Sequence, residues 1–192
     1  MSEKSTTVIV SVGDGGIAAQ NYIVNCGLQG IRFIAINTYD DGFQTSMAQT
    51  KLLISEEITK GHGAGGRMEM GESSAESSYE AIKAALQGAE RVFIIAGLGG
   101  GTGTGASPVI ARIAGELGAD TTAIVSTPFE YEGHQRADLA KRGVEALNDH
   151  ANHVIVVDCD ALAPFMPDLA IIENALKIAS CVLAAKVMSS LV

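Results

Sequence analysis

The stretch Ala96–Pro108 reads AGLGGGTGTGASP, and six of its thirteen residues are glycine. The apolar run RVFIIAGL (91–98) leads into it, and a helical pattern follows from Ala106. A β-branched apolar run, then glycines, then 3.6-residue periodicity predicts strand, loop and helix. Glycines let a backbone turn its N–H groups inward and approach a ligand closely. The start of the helix adds partial positive charge. Thr102 and Thr104 add hydroxyls. Gly99, Gly100, Gly101, Thr102, Gly103, Thr104 and Gly105 therefore predict a phosphate cradle. No lysine follows the glycines, so this is not a Walker A loop. One helix end contributes only about 0.3–1 kcal/mol when exposed, and amides and a cation must supply the rest.

Working outward, strands are expected at Thr6–Val12, Ile31–Asn37, Arg91–Leu98, Thr121–Ser126 and His153–Asp158. Helices are expected at Ile17–Leu28, Ala75–Leu86, Ala106–Leu117, Glu132–Asn148 and from Ile171 to the end. Gly13–Gly16 reads as a turn, and Thr38–Gly71 as loops with short elements. Alternating strands and helices predict an α/β fold: a three-layer, doubly wound, mostly parallel sheet.

The 192 residues are 47% hydrophobic and 18% charged, which suits one globular domain. A net charge of -9 argues against a basic nucleic-acid surface. A bound polyanion must be held by local donors or a metal, because the overall field opposes it. Cys26, Cys159 and Cys181 have no metal-ligand spacing, and the four histidines are scattered. With no apolar leader in MSEKSTT, a reducing cytoplasmic setting is expected. Glu173, Lys177 and Lys186 interrupt the apolar tail, so no membrane insertion is expected.

GGGTGTG at Gly99–Gly105 resembles the signature loop of the tubulin/FtsZ superfamily. GAGG at Gly63–Gly66 resembles the loop that approaches the γ-phosphate, and INT at Ile36–Thr38 the end of the second strand. PFEYEGHQR at Pro128–Arg136 resembles the segment with the ribose-contacting Glu and Arg. The likeness spans nearly the whole chain and leans towards FtsZ. It implies a GTP-binding domain of a filament-forming GTPase, with GTP or GDP and Mg²⁺ as ligands. Implied nucleotide contacts are Gly13, Gly15 and Gly16, then Ala64, Gly65 and Gly66, the cradle 99–105, Glu132, Arg136 and Ser180. Residues 1–170 are then the nucleotide domain, and 171–192 start a central helix that leads towards a second domain. The implied partners are further copies in a filament, or a co-assembling FtsZ-type protein. In this family hydrolysis needs acidic residues from the neighbouring subunit, in a loop after the central helix. No catalytic residue is therefore assigned within 1–192, and hydrolysis is expected of a longer, polymerised protein.

Several positions depart from the family pattern. Asp14 sits in the first glycine run, and Ala18 stands where an Asn contacts the nucleotide. A carboxylate about 6 Å from a phosphate costs roughly 3 kcal/mol at an effective dielectric of about 20. Mg²⁺ bridging the two, or Asp14 turning aside, would lift that cost. On the guanine side Cys159, Leu176 and Ser180 replace the expected Asn, aromatic and Asp. Tyr39 replaces the acid after the second strand, with Asp40 one step on.

These departures support an alternative, a degenerate FtsZ-like paralogue that binds nucleotide weakly and acts in assembly. A dinucleotide enzyme is a further alternative: Gly13–Ala18 fits G-x-G-x-x-A, with Asp40 placed for a ribose. It leaves Gly99–Gly105 unexplained.

Overall fold

Strand β1 (Thr7–Val12) runs without a break into helix α1 (Gly13–Asn25). The computed structural model describes residues 6–54, 59–165 and 172–191, with the side chains of 163–178 left aside. Next come β2 (Ile31–Asn37) and β3 (Thr50–Leu53), then α2 (Met68–Ser77) and α3 (Tyr79–Leu86). β4 (Arg91–Gly97), α4 (Gly101–Glu116), β5 (Asp120–Ser126) and α5 (His134–Asn148) follow. β6 (His153–Val157) and α6 (Ile172–Ser190) complete the order.

The six described strands form one sheet in the order β3-β2-β1-β4-β5-β6, and every neighbouring pair is parallel. Alternation along the strands sorts the core into two sides. Val8, Val10, Val12, Ile94 and Ala96 face α2, α3, α4 and α5. Ile9, Phe93 and Ile95 face α1 and α6. This is the expected three-layer, doubly wound architecture. The sheet order reverses between β1 and β4, and the crevice at their carboxyl ends is where such sheets take ligands.

Gln20 fastens α1 to β1 and β2. Its buried amide donates to the carbonyls of Ile9 and Ile34, both at 3.1 Å, and its oxygen accepts from the Ser11 hydroxyl at 3.0 Å.

Three local expectations differ from the structure. First, α1 starts at Gly13 rather than Ile17, because Gly13 makes the strand-to-helix turn alone at φ 69°. Gly16 is already helical, and a Cβ there would collide with the Ile95 carbonyl of β4. Second, α4 starts at Gly101 rather than Ala106, so most of the glycine run is helix. Third, the helix expected over Ala75–Leu86 is two, α2 and α3, divided at Ser78 (φ −102°, ψ 16°).

Candidate functional site

A cleft of about 720 Å³ runs along the carboxyl edge of the sheet. That lies within the size range of small-molecule sites. Its floor is the meeting of two helix starts. A Cβ at Gly13 would be 3.5 Å from the Gly103 nitrogen and 3.6 Å from Thr102 Cβ. The N-termini of α1 and α4 therefore converge on one place. Each contributes about 0.3–1 kcal/mol towards an anion, and up to about 2 kcal/mol when partly buried. Sequence reading anticipated one such dipole at the cradle. Contact between the two helices depends on tertiary packing and has no local signature.

Of the residues assigned to the site, Gly13, Gly15, Ala64, Gly100, Gly101, Thr102 and Gly103 line this cleft. Glu132, Arg136 and Ser180 line it further along. The remaining ones are not among its lining. Gly16 packs on β4, as described above. Gly99 (φ 100°) lies under the start of α5, where a Cβ would be 3.0 Å from the Arg136 carbonyl. Thr104 is fully buried and accepts the Gly99 N–H at 2.8 Å, which closes the turn from inside. Gly105 meets the backbone of Met68 in α2. Gly65 and Gly66 are exposed, at φ 58° and 72°. The glycine run thus has two tasks: Gly100 faces the cleft, whereas Gly105 lets α2 lie against α4.

The cleft also gathers residues that were not assigned to it. Asn37, Thr38 and Tyr39 come from the end of β2, and His62 and Gly63 from the following loop. Thr38 and Thr102 share a hydroxyl hydrogen bond at 2.6 Å. The Thr38 carbonyl accepts the Gly63 N–H at 3.0 Å, which holds the 62–64 loop beside the cradle. Asn37 donates to Asp14 at 2.8 Å, so Asp14 leans towards β2 while still lining the cleft. Tyr39 donates to Asp41 at 2.9 Å, which raises its phenol pKa. The position of Asn37, at a strand end beside the sheet reversal, is the signal that could have marked it.

At the other end each oxygen of the Glu132 carboxylate has one protein partner and keeps acceptor capacity for a ligand. It accepts the Phe129 N–H at 2.9 Å and the Arg136 guanidinium at 2.9 Å. Both groups are fixed before any ligand arrives. Cys159, Ala179 and Leu183 supply an apolar wall. Burial, followed by the Glu132 charge, pushes the Cys159 thiol up to about 12, so it is a neutral thiol at pH 7. Leu176 lies on α6, and its side chain is outside the described residues.

Comparison with known proteins identifies the family. The family model "Tubulin/FtsZ family, GTPase domain" matches residues 6–167. An empty FtsZ dimer from M. jannaschii superposes with a TM-score of 0.91 at 38% identity, over 95% of this chain and 53% of that one. CetZ2 from Haloferax volcanii, solved as a GTPγS-bound protofilament, gives 0.78 at 30%, over 94% and 58%. The chain therefore spans about half the length of these structures. The likeness covers every described strand of the sheet together with the glycine cradle, and the chain belongs to the Tubulin/FtsZ family, whose GTPase domain it carries.

Proposed function

We propose that this domain binds GTP and GDP with Mg²⁺ in the cleft and that the bound nucleotide controls assembly into filaments. The observation that carries this reading is the convergence of two helix starts on the Gly100-to-Gly103 floor, inside a cleft of nucleotide size. Gly13, Gly15, Gly100, Thr102 and Gly103 take the phosphates through backbone N–H groups and one hydroxyl. Ala64, with Gly65 and Gly66 behind it, reaches the terminal phosphate. Glu132 and Arg136 hold the ribose hydroxyls, and Ser180 lies towards the base. The cation neutralises phosphate charge in a site that has few positive groups of its own. Residues 1–170 form the nucleotide domain, and 171–192 belong to a helix that joins it to a second domain in a longer protein. Hydrolysis belongs to that longer protein in its polymer. The relative solved as a nucleotide-bound protofilament supports the link between nucleotide and assembly.

The Arg136–Glu132 pair gives a direct test. The Arg136 side chain is 56% exposed, and such ion pairs contribute little to stability. A hydrogen bond to a charged group contributes about 1.5–3 kcal/mol. Arg136→Ala is expected to leave the melting temperature nearly unchanged and to weaken GDP binding about tenfold or more. Thermal unfolding of the purified variant reads the first, and calorimetric titration with GDP reads the second. An unchanged affinity would remove Arg136 from the site.

A second reading is an assembly protein that has lost most of its nucleotide affinity. Asp14 at the phosphate end and the Cys159–Ala179–Ser180 wall favour it. It expects filaments, alone or with an FtsZ-type protein, that form equally well without nucleotide.

A further inference from the structure

Asp14 is the second residue of α1, at the point where two helix starts favour an anion. Its carboxylate is held in place by built contacts. Asn37 is buried, and its side-chain oxygen accepts the Thr38 N–H at 2.9 Å. That bond fixes which way the amide points and turns its NH₂ group onto Asp14 Oδ1 at 2.8 Å. Gly42 closes over the pair: a Cβ there would lie 2.6 Å from Asp14 Oδ1 and would collide with the Asn37 NH₂. The Asp14 carboxylate is therefore positioned from β2 and from the loop after it.

Among the described residues no side-chain cation pairs with its charge. Among the described cleft residues the charged side chains are Asp14, Glu132 and Arg136. Arg136 is paired with Glu132 at 2.9 Å, whereas Asp14 has a neutral amide as partner. No lysine or arginine side chain lines the phosphate end among the described residues. A free polyphosphate entering there meets a fixed negative charge in a chain of net charge -9. A hard divalent cation reverses the sign of that encounter. Mg²⁺ is commonly held by one or two carboxylates together with substrate phosphates, and keeps several waters.

Resting on the nucleotide-binding reading, we infer that Asp14 is a ligand for the divalent cation, directly or through a water. It makes the cleft selective for cation-bound over free nucleotide. The same carboxylate that repels bare phosphates becomes an attractive contact once a cation lies between.

The test is equilibrium binding of a fluorescent GDP analogue to the whole chain, in Mg²⁺ and in EDTA. The wild type is expected to lose at least tenfold in affinity in EDTA. Asp14→Asn keeps the shape and removes the charge. It is expected to bind in EDTA within about threefold of its own value in Mg²⁺. Asp14→Ala should behave likewise, which guards against a folding fault in one variant. Mn²⁺ paramagnetic resonance reads the cation itself: the wild-type GDP complex should hold Mn²⁺ at least tenfold more tightly than the Asp14→Asn complex. A wild type indifferent to EDTA, a variant with undiminished cation dependence, or equal Mn²⁺ affinities would each overturn the inference. If neither wild type nor variants bind the analogue in Mg²⁺, the nucleotide reading itself fails, and the inference with it.

Discussion

Gly105→Ala is expected to lower the melting temperature by about 4–8 °C in a domain of this size. Gly105 is buried in α4 where α2 crosses it. An added Cβ would collide with the Met68 carbonyl and lie 2.6 Å from the Glu72 nitrogen. Both are helix backbone atoms, which cannot swing aside as a side-chain tip can. Overpacking of this kind costs about 1–3 kcal/mol and sometimes more. We take about 3 kcal/mol, because two backbone atoms are struck at once. Alanine's better helix propensity offsets about 1 kcal/mol of that. The net loss is about 2 kcal/mol, at roughly 2–4 °C per kcal/mol. Thermal unfolding followed by circular dichroism checks it. An unchanged melting temperature would mean that α2 does not lie against α4 at this point.

Gly100→Thr is expected to do the opposite: leave the fold alone and abolish most nucleotide binding. Gly100 caps α4 with φ −97° and ψ 173°, an extended conformation open to any residue. Nothing lies within 4 Å of a Cβ built there, so the protein itself raises no objection. Threonine caps a helix about as well as glycine. The new side chain instead enters the cleft, in the space assigned to phosphate. The expected loss is at least tenfold in GDP affinity, equivalent to about 1.4 kcal/mol, with the melting temperature unchanged. Wild-type affinity in this variant would move the phosphates away from Gly100. Together the two variants separate tasks that one run of glycines hides.

The parallel sheet was legible because strands buried on both faces read as continuous apolar runs, as in TVIVSV and RVFIIAG. β3 escaped because TKLL is short, half polar and at the sheet edge, so neither length nor pattern marks it within 38–71. The start of α4 escaped because glycine lowers helix propensity, whereas here packing against β4 and α2 selects it. A Cβ at Gly103 would strike the Gly97 carbonyl, so the helix starts where the backbone can come closest. In the site, the residue types of the cradle were readable, but their division between cleft and helix contact was not. That division depends on which way each Cα faces once two helices meet. The Asn37–Asp14 bond joins positions 23 apart and depends on the β1–β2 register, which no local pattern encodes.

The most direct test of the central claim is calorimetric titration of the purified chain with GTP, GDP and ATP in Mg²⁺. The account predicts micromolar binding of GTP and GDP at one site per chain, with ATP weaker. No heat with any of the three at millimolar concentration would contradict it, and the cleft would then belong to a protein that assembles without a nucleotide.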